Sequence, residues 1–336
     1  MNSCFAYLKM SLKILKAGIL DSIQDRGRYG YQHLGINCSG AMDTTAMQTA
    51  NLLVGNEING PVLELFYPAA EILFEKNAFI TITGGNFSPM INGDRIKTGQ
   101  PVMIKKNSVI QFPKKKKGQC CYIAIHGGFR LSPWLNSYST NLKAGAGGYE
   151  GRRLKKGDYI EFNFNFKNEL LNETDLVRLP WRAAPFADGS TVTEIFVLPG
   201  NEWNRLTEES KNIFLNDEFT LSVLSDRMGY GLTGESLTTI NKEELVSSAV
   251  NFGTIQLLPN GQMIILMADS QTTGGYPRIA HVISSHLSKL AQKQPGEIIK
   301  FTIVNQSKAE ELLIKQYLHL QQLKNGSKFR LQDFLK

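Results

Sequence analysis

Ten consecutive residues, Asp269-Ser270-Gln271-Thr272-Thr273-Gly274-Gly275-Tyr276-Pro277-Arg278, present a carboxylate, an amide, three hydroxyls, two glycines, a phenol and a guanidinium. They follow the apolar run Met263-Ile264-Ile265-Leu266, which reads as a buried strand. Two further segments repeat the mixture of Asp, Arg, Gly and Tyr. One is Gln24 to Gly35, running on to Ser39-Gly40-Ala41-Met42-Asp43; the other is Ser225-Asp226-Arg227-Met228-Gly229-Tyr230. Polar loops held at the ends of rigid strands are where binding and chemistry concentrate. Carboxylates there can take or orient a proton. Arginine forks suit bidentate capture of a carboxylate or phosphate. Each Asp–Arg pair also has a plainer reading, a salt bridge between loops.

Asp25 and Asp269 are therefore the candidate catalytic carboxylates. Arg28, Arg227 and Arg278 are the candidate anion clamps, with Tyr31, Gln271 and Thr272 as further contacts. Paired glycines let backbone N–H groups approach a ligand closely. Gly84-Gly85 and Gly274-Gly275 are thus candidate oxyanion donors, each donor worth roughly 3 kcal/mol in such a role. The governing expectation is that turns from both halves of the chain meet around one small-molecule pocket.

Other chemistries leave no signature. No G-x-x-x-x-G-K-[ST] loop occurs, and Gly145-Ala146-Gly147-Gly148-Tyr149-Glu150-Gly151 has the wrong spacing for a dinucleotide fingerprint. A surface loop near a site accounts for it better. There is no G-x-S-x-G. Four cysteines (Cys4, Cys38, Cys120, Cys121) and five scattered histidines lack metal-ligand spacing, so no metal site is expected. Adjacent Cys120 and Cys121 in a strand point to opposite faces, and reduced thiols in a cytoplasmic protein are expected. His281 reads as a structural hydrogen bonder just inside a helix.

These loops must be carried by a scaffold, and 336 residues suffice for two domains. Hydrophobic content of 42% and charged content of 20% fit a globular protein. The net charge of +7 owes much to Lys114-Lys115-Lys116-Lys117, which reads as a hairpin tip without interleaved aromatics, so no nucleic-acid partner is expected. No run approaches the ~20 apolar residues of a membrane span, so none is expected. Lys9, Lys13 and Lys16 break any signal-peptide core, and Met10 is an alternative start.

Strand signals dominate at 78–83, 109–112, 120–125, 158–162, 193–198, 219–224 and 253–257. Helices are expected at 44–54 with Asp43 as N-cap, and at 203–214, 280–292 and 309–323. Residues from Lys324 onward read as a loose basic tail or docking segment. The Pro-containing connector Leu179–Phe186 divides the chain into a first β domain (1–188), a second (189–305) and a C-terminal helix with tail (306–336).

Taken in order, Gln24–Asp43, Gly84-Gly85-Asn86-Phe87, His126-Gly127-Gly128-Phe129, Ser139–Gly145, Ser225–Tyr230 and Ala268–Arg278 resemble one family. It is the allophanate hydrolase subunit 2 family, the KipA-type, biotin-dependent carboxyltransferase-like family that includes the 5-oxoprolinase C subunits. The resemblance covers about Leu12 to Phe301. It implies a mainly β fold of two tandem cyclophilin-like β-barrels. It also implies one subunit of a bacterial ATP-dependent 5-oxoprolinase, working with a KipI-like B component and a separate A component. In that scheme B and C activate the lactam of 5-oxoproline with ATP as co-substrate, and A completes opening to glutamate. The alternatives are a urea or allophanate-type amidohydrolase or carboxyltransferase subunit, or a non-catalytic KipA-like regulator of a KipI-like partner. No A-M-K-M segment for biotin attachment occurs. Departures from the family pattern fall at Asn201-Glu202-Trp203 and Ile36-Asn37-Cys38, both beside site loops.

Overall fold

The computed structural model describes residues 11–164, 166, 168–241 and 245–334; Cys4 and Met10 lie outside the described residues. In the first half, two six-stranded antiparallel sheets face each other. One runs in the order Tyr159–Ile160, Leu12–Lys16, Glu71–Phe74, Ser108–Gln111, Met90–Ile91, Asp94–Arg95. The other runs Leu176–Arg178, Val102–Ile104, Ala78–Asn86, Lys117–Ile125, Val62–Phe66, Ser22–Gln24. Period-two alternation along Cys120–Ile125 decides which core each side chain joins. Cys121, Ile123 and Ile125 pack between the two sheets, and Cys120, Tyr122 and Ala124 face the other way.

That second face carries the helix Thr44–Leu53. Asp43 caps it as expected, its carboxylate accepting from the Ala46 N–H at 2.9 Å. Beyond the helix stands the second half, a closed seven-stranded barrel. Its order is Glu194–Pro199, Arg278–Val282, Thr254–Leu257, Met263–Leu266, Gly229–Thr233, Phe219–Leu221, Ile298–Ile303, closed by the parallel pairing of the first strand with the last. One continuous apolar cluster runs from Met47 and Phe79 to Ile265 and Phe301, so the halves share a core. The fold is mainly β with a few helices, as the sequence indicates.

Several local expectations are corrected. Ala280–Val282 completes a barrel strand, and only Ser284–Ala291 is helical. His281 accordingly sits on a strand, 3.2 Å from the Thr254 hydroxyl. Its β-branched neighbours Ile279 and Val282 outweigh the helical spacing. The expected helix 203–214 is a short 3-10 turn, Trp203–Arg205, followed by the helix Glu208–Asn216. Thr207 breaks the two, capping the second through the Ser210 N–H at 3.2 Å. The lysine run is no hairpin tip, because the strands it joins belong to different sheets. The loose tail is helix: Gln306–Phe334 is continuous, with Leu320, Ser327 and Leu331 buried. Phe334 packs edge-on against Trp181 at 5.3 Å, an anchor 153 residues away in sequence that local pattern cannot reveal.

Candidate functional site at the seam of the two halves

The loop Asp25–Ala41 folds back on itself because two glycines permit backbone to touch backbone. Gly27 (φ +98°) lies against Ser39, and Gly40 (φ +101°) against Arg26; a Cβ on either would stand 2.8 Å from a carbonyl oxygen. Asp25 is buried at its root and saturated with donors. It accepts from the Gly27 N–H at 2.7 Å, the Ser137 hydroxyl at 2.7 Å, the Tyr138 N–H at 2.6 Å and the Ser139 hydroxyl at 2.5 Å. Four such bonds make Asp25 the pin that fixes the segment 137–139 beneath the loop. Tyr31 adds a second tie, accepting from Asn136 Nδ2 at 3.1 Å.

Arg28 stands on that segment. Its guanidinium lies 4.5 Å over the Trp134 ring, and Nη2 donates to the Ser139 carbonyl. The residue is 1% exposed, yet Nε and Nη1 find no hydrogen-bond partner among the described residues. Burial draws the Arg28 guanidinium below its ordinary value, while Asp25 and Asp269 pull it back up. A buried guanidinium with two idle N–H groups costs stability unless an anion completes it. Gly147, from the glycine-rich loop 145–151, closes in here; a Cβ would come 2.9 Å from Arg28 Nη2.

Arg227 is the opposite case. Nε and Nη2 grip Asp269 bidentately at 2.7 and 3.0 Å, Nη1 donates to Glu64, and Nη2 also reaches the Gly40 carbonyl at 2.7 Å. Burial lowers Arg227, but Asp269 and Glu64 together hold it above its ordinary value. Glu64 is fully buried, and burial pushes its carboxyl up against the pull of Arg227, the Met42 N–H and the Tyr122 hydroxyl. Glu64 accepts from the last two at 2.7 Å each. Arg227 is thus spent on joining the halves and has little left for a ligand.

The polar turns do converge. Asn37 Nδ2 donates to the Asp269 carbonyl at 2.9 Å, and Asn141 Nδ2 donates to Asn37 Oδ1 at 2.6 Å. Loops from residues 25–41, 137–141, 225–230 and 268–270 meet at one seam, bringing Asp25, Arg28, Arg227 and Asp269 together. The other nominated residues go elsewhere. Arg278 is locked to Glu202, with Nε at 3.0 Å and Nη2 at 2.9 Å. Gln271 is exposed, and the Thr272 carbonyl accepts from Val250. Gly274 and Gly275 leave room for Gln256 and for the Leu245 carbonyl. Gly84 and Gly85 sit on the helix-bearing sheet, where Gly84 adjoins Gln292 and the Cys120 carbonyl. One strand, Lys117–Ile125, lies between Gly84 and Glu64, which puts them two strand spacings apart, about 10 Å.

Sequence reading missed Asn37, Trp134 and Ser139 as parts of this machinery, and Glu202 as the partner that holds Arg278 away from it. Asn37 and Glu202 had one signal: both fall where the chain departs from the family pattern. Among the described residues, no group of three His, Cys, Asp or Glu side chains is placed to hold a metal ion. None of their helices is long and apolar enough to cross a membrane.

A closed barrel joined to a sheet pair, with a polar seam between them, makes this a mainly β protein with its candidate site at the junction of its halves. The carboxyltransferase domain family, subdomains A and B, matches residues 34–303. The 5-oxoprolinase C subunit of Haemophilus influenzae is 35% identical over 90% of this chain and 94% of its own length. That of Escherichia coli is 35% identical over 93% and 97%. The crystal structure of Kluyveromyces lactis urea carboxylase superposes with a TM-score of 0.86 at 27% identity; the match covers 96% of this chain and 30% of that one. The chain belongs to the carboxyltransferase domain family that includes the 5-oxoprolinase C subunits.

Proposed function

We propose that this chain is one subunit of an ATP-dependent 5-oxoprolinase, acting with a KipI-like B component to activate the lactam of 5-oxoproline. Near-full-length similarity to two proteins named as 5-oxoprolinase C subunits supports the reading. The observation that carries it is Arg28. Its Nη1 is buried without a partner and can donate to a carboxylate oxygen, and 5-oxoproline bears a carboxylate that urea lacks.

In this reading Arg28 holds the substrate carboxylate through Nη1, and Trp134 and Ser139 hold Arg28. The free lone pairs of Asp269 accept the lactam N–H, while Arg227 fixes the orientation of that carboxylate. The lactam oxygen then attacks the γ-phosphorus of ATP; an O–P bond forms, ADP leaves, and the ring carbon becomes electrophilic. The A component would receive the activated ring, and water would open it to glutamate with release of phosphate. Asp25 acts at one remove, keeping Ser139 beneath Arg28. ATP is the co-substrate of the assembled complex.

The test is to purify the chain together with a B component and measure ATP consumption with 5-oxoproline, urea or no addition. Consumption that depends on 5-oxoproline supports the reading. Consumption that follows urea, or none with either, refutes it and favours the urea-type or regulatory alternatives.

A further inference from the structure

A cavity of about 180 Å³ lies away from the seam, between the helices Thr44–Leu53 and Ser284–Ala291, the connector 182–188 and the C-terminal helix. It is below the ~300–1,000 Å³ of sites for drug-sized molecules, so it suits an ion or a very small ligand. Its wall is unusually rich in donors. Ser285, in the first turn of its helix, is 3% exposed, lines the cavity, and its hydroxyl has no hydrogen-bond partner among the described residues. Lys289, one turn later, spends two ammonium protons on the Ser190 hydroxyl and the Thr191 carbonyl and keeps one. Arg182 uses Nε on the Thr98 carbonyl at 2.7 Å, and neither Nη takes a partner among the described residues. Thr49 and Thr98 also line the cavity. One carboxylate, Asp188, also lines the cavity; it already accepts from Ser190 and faces His286 at 3.2 Å.

Two cations and a buried idle hydroxyl around a small space outweigh its one lining carboxylate and make an anion cradle. We propose that this cavity is a second binding site, taking a small tetrahedral oxyanion such as phosphate. Phosphate offers acceptors on every side, matching a wall of donors from three directions. The source is either free inorganic phosphate or the phosphoryl end of a larger ligand whose remainder stays outside.

The experiment is calorimetric titration of the purified chain with inorganic phosphate, and separately with ATP. It is repeated on Arg182→Gln and Ser285→Ala, neither of which removes a buried interaction, and on Arg28→Lys. Saturable phosphate binding, weakened about tenfold or more in the first two variants and unchanged in the third, is the expected result. ATP binding with the same sensitivity would assign the site to a phosphoryl end; phosphate binding without it would assign the free ion. No saturable binding of either, or binding unmoved by Arg182→Gln and Ser285→Ala, would overturn the proposal. Loss only in Arg28→Lys would overturn it too, placing the ion at the seam.

Discussion

Arg227 donates to Glu64 across 163 residues of sequence, and both side chains are buried where the sheet pair meets the barrel. The same guanidinium holds Asp269 with its other edge. One cation therefore bridges two carboxyl groups, one from each half, at the base of the candidate site.

Removing that cation should be costly. Breaking a buried pair leaves its partner uncompensated, at about 3–5 kcal/mol. Arg227→Met is expected to lower stability by at least that much in chemical denaturation. Arg227→Lys should recover only part, because an ammonium cannot reproduce the fork. A loss below about 1 kcal/mol for the methionine variant would contradict the assignment.

Asp269→Asn should abolish turnover, and it should not be structurally silent. Replacing one oxygen by an NH₂ turns a donor toward Arg227, at a cost of about 1–3 kcal/mol. Turnover and denaturation midpoints measured on the same preparation separate the two effects. Full turnover in a folded variant would remove Asp269 from the site.

Asp21 offers a pH signature. It is fully buried, accepts from the Phe66 N–H at 3.1 Å and the Ala70 N–H at 2.7 Å, and burial pushes its carboxyl up to about 7. A folded value above the unfolded one means the group favours folding below the unfolded value. That contribution is lost as pH rises from about 4 to about 7, some 4 kcal/mol in all at 1.36 kcal/mol per unit. Carbon NMR of labelled aspartate should show one carboxyl titrating near neutrality and disappearing in Asp21→Asn. A full set titrating below pH 5 would contradict this.

His286 shifts the other way. Its Nδ1 accepts the Phe196 N–H at 3.0 Å, so the ring must carry its proton on Nε2, toward Asp188. A second proton would have to break that bond, and burial lowers the ring to about 4. The folded value is depressed, so this stabilisation is whole above the unfolded value and lost as pH falls from about 6.5 to about 4. Nitrogen NMR at pH 6 should show a neutral Nε2–H tautomer, and a protonated ring at that pH would refute the geometry.

The scaffold was largely legible because burial leaves a period-two record: Cys120 and Cys121 do face different cores. Asp43 as a cap was legible for the same local reason. Errors arose where distant partners decide. The Gln306–Phe334 helix outruns its apparent stripe because its last turns dock on the connector around Trp181. At the seam, residue types singled out loops that the fold brings together but could not divide their labour. Three arginines look alike in sequence, and only the partners Glu64, Asp269 and Glu202 show that two are spent on structure. Those partners lie 42 to 163 residues away, beyond any local pattern.

In the proposed function Arg28 reads a substrate carboxylate. The direct measurement compares ATP consumption by the assembled complex on 5-oxoproline and on 2-pyrrolidinone, the same ring without its carboxylate, for the native chain and Arg28→Lys. The native complex should strongly prefer 5-oxoproline, and Arg28→Lys should raise its KM about tenfold or more while leaving 2-pyrrolidinone unaffected. Equal loss on both lactams, or undiminished preference in the variant, would contradict it.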